Sequence, residues 1–176
     1  MAYARSDKDD AHMRANSKQP RSDEEKRKAS EQVLYEYEMM CAATLARQAT
    51  HGSWLGNAYV ESASIHVRNL YYFFFKCGQE NVVVEEFFPP PPSWEELRPE
   101  FFRDGKNLKK LHRFLAHLSW DRITTEKPEW PLLEICRQLS MPLKALGESA
   151  PSEFLCERFK AVASKIRTVM RNGDSE

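Results

Sequence analysis

The sequence predicts an all-α fold: a bundle of about five helices with an extended Pro/aromatic-rich strap between helices 2 and 3. Three observations carry this. Apolar residues recur at helical spacing in five separate segments. No segment alternates apolar and polar residues as a half-buried strand would. The six glycines are scattered, whereas four of the ten prolines stand together at 89–92 and interrupt the helical pattern once, near mid-chain.

Residues 1–22 carry five Lys/Arg and three Asp/Glu, include Pro20 and have no apolar face, so they read as a disordered tail. A single bundle domain is expected over 23–171, with 172–176 as a frayed tail. Asp23 is placed to cap a first helix beginning near Glu24, with Leu34, Tyr37, Cys41, Thr44 and Leu45 at helical spacing. The His51-Gly52 pair ends it. A second helix is expected from Asn57 to Lys76, with Gly78 as its stop.

The segment from 79 to 106 then changes character. Four consecutive prolines fix φ and remove backbone donors, so residues 89–92 must run extended. Around them lie Phe87, Phe88, Trp94, Phe101 and Phe102, rings that gain stability by burial. The reading is a strap docked on the bundle beside the groove between the second and third helices, near Arg68 and Tyr72.

A third helix is expected from Asn107 to Ile123, with Leu108, Leu111, Leu115 and Leu118 on its apolar face. A fourth begins at Pro131, a residue suited to the first helical turn, and carries Leu132, Ile135, Cys136 and Leu139. Pro142 should kink or split it and Gly147 should end it. A fifth, from Ser152 to Met170, presents Leu155, Phe159, Val162, Ile166 and Val169.

Charge and cysteine usage exclude several functions. Lys plus Arg and Asp plus Glu both number 26, so no global field draws the chain to nucleic acid or anionic membrane, and only a local patch could do so. No apolar run is long enough to cross a membrane, and the N-terminal region lacks the apolar stretch of a secretory signal. The four cysteines, at 41, 77, 136 and 156, form no CxxC and mostly sit in apolar helical patterns, where a free thiol behaves as a small hydrophobe. A cytoplasmic location follows as the expectation. No phosphate-cradling glycine loop, HExxH, EF-hand or nucleophile elbow is present, so no cofactor and no metal is expected.

The second helix is the most informative. Val60, Ala63, Val67, Leu70 and Phe74 form its apolar face, and Asn57, Glu61, Ser64 and Arg68 run beside it as a polar stripe at i, i+4, i+7 and i+11. With Asn69 they read as a partly buried, paired polar network. The third helix supplies a local excess of positive charge: residues 103–127 hold seven Lys/Arg against three Asp/Glu. His112 and His117 lie in the same stretch, and Lys110, Arg113 and Arg122 are its candidate phosphate contacts.

Two of these segments carry a resemblance. Glu61-Ser62-Ala63-Ser64-Ile65-His66-Val67-Arg68-Asn69-Leu70, leading into Phe73-Phe74-Phe75, and Leu115-Ala116-His117-Leu118-Ser119-Trp120-Asp121-Arg122 are similar to paired motifs in a group of uncharacterised bacterial helical proteins. More distantly, the architecture resembles the HEPN superfamily. That resemblance implies a small bundle that often dimerises and, in active members, a metal-independent ribonuclease with an R-x(4–6)-H motif. Arg68-Asn69 matches the start of the motif, but positions 73, 74 and 75 are all Phe, and Arg113 with His117 is one residue short. The resemblance therefore implies a domain that binds RNA, a partner protein or a second copy of itself. Its alternative is a ribonuclease of the toxin or phage-defence type using Arg68 and His117 from different helices, with the guanidinium holding phosphate and the imidazole acting as acid or base.

Overall fold

Ser22 starts the first helix. Its hydroxyl accepts from the Glu25 amide at 3.2 Å, and the Glu25 carboxylate accepts from the Ser22 amide at 2.9 Å, a reciprocal box that satisfies two of the donors a helix start leaves open. Ser22, rather than Asp23, is thus the cap, and Asp23, Glu24 and Glu25 fill the first turn. The computed structural model describes residues 20–50, 52–75, 82–87, 96–103, 105–116 and 130–173. Among them are five α-helices, which we number α1 (Asp23–Ala49), α2 (Trp54–Phe75), α3 (Lys106–Ala116), α4 (Leu132–Ser149) and α5 (Glu157–Gly173), and no strand. No helix among the described residues is long and apolar enough to cross a membrane.

α1 and α2 form a hairpin and supply the largest share of the core. α2 begins at Trp54, earlier than its apolar pattern suggests, because Ser53 caps it: the Ser53 hydroxyl accepts from the Gly56 amide at 3.0 Å. Gly56 is required there, since a Cβ at that position would fall 2.4 Å from the Thr50 carbonyl oxygen. Val33, Leu34 and Met40 of α1 meet Val67, Leu70, Tyr71 and Phe74 of α2 in one buried cluster. Leu139, Leu143 and Leu146 of α4, Phe159 and Ala163 of α5, Leu108 and Leu111 of α3, and Phe87 and Phe102 join it.

Two expectations for the C-terminal half are corrected. α4 is neither split at Pro142 nor ended at Gly147; it runs through both. Gly147 is a packing residue: a Cβ there would lie 2.5 Å from the Ala163 Cβ, so its absence lets α4 and α5 cross closely. The expected fifth helix is two elements, a 3-10 turn at Ser152–Phe154 and then α5, which continues to Gly173. The division has a local cause. The Cys156 amide donates to the Ser30 hydroxyl on α1 at 2.9 Å, and the Cys156 sulfur accepts from the Phe159 amide at 3.4 Å, so Cys156 caps α5 while tying its start to α1. Ser30 is fully buried and its hydroxyl donates in turn to the Arg27 carbonyl.

The described ends of the strap are docked. Phe87 and Phe102 are 2 % and 0 % exposed, and the Phe87 ring meets Phe73 edge-on at 5.7 Å. Asn107 donates to the Phe101 carbonyl at 2.8 Å, the Glu100 amide donates to the Gln138 side chain on α4 at 3.0 Å, and Arg98 donates to the Tyr71 hydroxyl at 2.8 Å. Residues 88–95, which include Phe88, the four prolines and Trp94, lie outside the described residues.

Candidate functional site

The polar stripe of α2 divides along its length. Asn57 and Glu61 near its start are exposed, whereas Ser64 is buried and Arg68 and Asn69 are half-buried. Burial within the expected polar network is thus confined to Ser64, Arg68 and Asn69. Asn57 and Glu61 lie on the outer side of the first half of α2, whose inner side, with Ala63, packs on Leu132 of α4. The last two turns of α2 enter a walled groove. The Ser64 hydroxyl is buried without a hydrogen-bond partner among the described residues.

Those last two turns line an open groove of about 460 Å³, together with α1, α3 and the strap. Its lining is Glu36 from α1, Arg68, Asn69, Tyr72 and Phe73 from α2, Val82 from the strap and His112 from α3. Helical spacing explains the α2 set: positions 68, 69, 72 and 73 fall on one side at i, i+1, i+4 and i+5.

Two hydrogen-bonded groups build the walls. On one side, the Glu36 Oε2 lies 2.7 Å from His66 Nδ1 and accepts from Asn69 Nδ2 at 3.0 Å. Asn69 Oδ1 faces Arg68 Nη2 in a long 3.5 Å contact. Glu36 thus fixes the Asn69 amide with its donor end inward, which leaves the oxygen toward the guanidinium. On the other side, the Tyr72 hydroxyl and His112 Nε2 are 2.9 Å apart, their rings edge-on with centroids 5.6 Å apart.

The electrostatics follow from this layout. Arg68 makes no ion pair among the described residues, so its charge faces the groove with a single weak neutral contact. Burial lowers the His112 pKa, and the nearby positive charge of Arg68 lowers it further, so the imidazole is held neutral near pH 7. A neutral imidazole beside a guanidinium combines a proton acceptor with a fixed cation.

No family model, curated protein or solved structure matches this chain. The site is therefore read from its own chemistry. Of the candidates named from the sequence, Arg68 and Asn69 are brought together in the groove and Asn57 and Glu61 stand apart from it. Lys110 and Arg113 are exposed on α3, the helix that carries His112. His117 and Arg122 lie outside the described residues. Sequence reasoning missed Glu36, His66, Tyr72 and His112 as a constellation. His112 does stand next to Leu111, which is 2 % exposed, and a polar ring adjoining a core position is the one signal that pointed inward.

A pH dependence follows. The native state favours neutral His112, whereas the unfolded chain takes up a proton at the ordinary value of 6.5. Native stability from this group is full above that value and falls as pH drops from 6.5 toward the lowered native pKa, below which it levels off. His112→Gln is expected to remove this component. Urea melts of both proteins across that pH range check it: the stability difference between them should vary below 6.5 and be constant above.

Proposed function

We propose that the groove is the phosphate-binding centre of an RNA-binding, HEPN-like helical domain. The observation that carries the reading is Arg68, a half-buried guanidinium that faces an open groove with no ion-pair partner among the described residues. A planar guanidinium in partly dry surroundings suits a phosphate, to which it can donate two parallel hydrogen bonds. Lys106, Lys109, Lys110 and Arg113 are carried by α3, the helix that also holds His112, and Lys110 and Arg113 are the flanking backbone contacts we assign. Phe73 and Val82 give the same groove an apolar wall against which a base or sugar can rest. A reducing cytoplasm is the compartment that goes with this reading.

A ribonuclease activity is the second reading, and one observation favours it: the His112 imidazole, whose pKa burial and Arg68 lower, lies 2.9 Å from the Tyr72 hydroxyl. When Nε2 donates to the Tyr72 oxygen, Nδ1 is left as the basic atom. It would take the proton of a ribose 2′-hydroxyl while that oxygen attacks the adjacent phosphorus. Arg68 would hold the charge that gathers on the phosphate oxygens. The P–O5′ bond would break as the new bond forms, and the leaving 5′ oxygen would take a proton from water, giving a 2′,3′-cyclic phosphate and a 5′-hydroxyl end.

The two readings separate in one experiment. Fluorescent single-stranded RNA is titrated with the wild-type chain, Arg68→Ala and His112→Ala, in EDTA, and the RNA is then run on a sequencing gel. Arg68→Ala is expected to weaken binding by about tenfold or more, the cost of one charge-assisted contact of roughly 1.5–3 kcal/mol. Equal binding by wild type and Arg68→Ala overturns the phosphate centre. Intact RNA with His112→Ala binding nearly as well supports a binding domain, and cyclic-phosphate ends made by wild type but not by His112→Ala support the ribonuclease.

A further inference from the structure

We propose that Cys41 and Cys136 are an oxidative modification site: a peroxide attacks Cys41, and Cys136 resolves the product by closing a disulfide between α1 and α4. The site lies on another stripe of α1 from Glu36 and does not depend on the RNA reading.

The geometry begins with spacing. Tyr37, Cys41 and Thr44 stand at i, i+4 and i+7 on α1, which places all three on one stripe. That stripe faces α4, because the Thr44 hydroxyl lies 3.3 Å from the Cys136 sulfur. Cys41 is one turn before Thr44, which sets it on the side of α1 that meets Cys136. Both cysteines are free thiols and both pack on the main core cluster.

The two thiols differ in the ways that an attacking and a resolving cysteine should. Cys41 is half-exposed and open to a small oxidant, whereas Cys136 is 9 % exposed and shielded from one. Hydrogen bonding from Cys136, and then from Tyr37, favours the Cys41 thiolate and lowers its pKa against the opposing effects of burial and the Glu38 charge. The same bond to Cys41, reinforced by burial, raises the pKa of Cys136 and keeps it a thiol. Cys156, the other described cysteine, is buried and its sulfur accepts a backbone hydrogen bond, so it lacks the access that Cys41 has.

The chemistry balances with hydrogen peroxide as oxidant. The Cys41 thiolate attacks one peroxide oxygen, the O–O bond breaks, and hydroxide leaves and takes up a proton as water, giving Cys41 sulfenic acid. The Cys136 sulfur then attacks the Cys41 sulfur, the S–O bond breaks, and the departing hydroxide takes the Cys136 proton as a second water. Two thiols are oxidised and one peroxide is reduced to two waters. The bond ties α1 to α4 across a long stretch of chain, and such cross-links stabilise by restricting the unfolded state.

The test exposes the full chain to graded hydrogen peroxide, blocks remaining thiols and maps peptides without reduction. We expect a Cys41–Cys136 linked peptide, loss of two thiols per chain and reversal by dithiothreitol. The melting temperature of the oxidised protein should rise. Cys136→Ser should lose the linked peptide and accumulate Cys41 that reacts with dimedone, and Cys41→Ser should leave Cys136 as a thiol. The proposal is overturned if Cys41 in the wild-type chain survives peroxide at doses that oxidise Cys77, or if Cys41 pairs with Cys77 or Cys156 instead.

Discussion

Phe102→Ala is expected to lower the free energy of unfolding by about 3–5 kcal/mol, the range for removing a fully buried phenyl ring. Phe102 is 0 % exposed, with ring centroids of Tyr71 and Phe101 each 5.0 Å away. It sits at the end of the strap, where the Gly105 amide donates to its carbonyl at 3.1 Å and α3 follows directly. The truncation therefore opens a cavity against α2 and also loosens the start of the helix that carries His112. Urea denaturation should show the midpoint falling with little change in slope. A loss under about 0.5 kcal/mol, the size of an ordinary surface change, would mean that the strap only rests on the bundle.

Glu36→Ala should cost about 1–3 kcal/mol, because it leaves two half-buried donors without their acceptor. His66 Nδ1 at 2.7 Å and Asn69 Nδ2 at 3.0 Å both converge on one Glu36 oxygen, so a single carboxylate pins α1 to two turns of α2. With Glu36 gone, the Asn69 amide is free to rotate, and Arg68 loses the contact that orients it. On the RNA-binding reading proposed above, RNA affinity should fall along with stability. Glu36→Gln keeps an acceptor oxygen and should recover most of both. Paired chemical melts and RNA titrations on the two variants check this, and a Glu36→Ala protein as stable as wild type would remove Glu36 from the wall of the site.

The all-helical class and four of the five helix cores were legible in the sequence, because the information is local. A helix that must bury one face writes that face as a 3.6-residue repeat, and Val67 with Leu70 and Phe74, Leu108 with Leu111, and Ile135 with Leu139 are buried as that repeat requires. Arg68 and Asn69 were legible for a related reason: charged and amide side chains beside a core stripe must find partners or water. Periodicity does not reveal which residue caps a helix when Ser22 and Asp23 are adjacent. Nor does it show that Gly147 serves a helix crossing instead of a helix end, since a contact with Ala163 sixteen positions away leaves no local mark.

The site itself was decided by tertiary structure. Glu36 and His66 are 30 residues apart, and Tyr72 and His112 are 40 apart. Each is an unremarkable polar residue on its own helix. Only the register of the α1–α2 hairpin sets Glu36 against His66 and Asn69, and only the docking of the strap through Phe102 turns α3 so that His112 meets Tyr72. Helical periodicity determines which side of a helix is apolar. The angle and register at which two such sides pack depend on the shapes of all the side chains between them, and those fix which polar groups meet at the edge of the core.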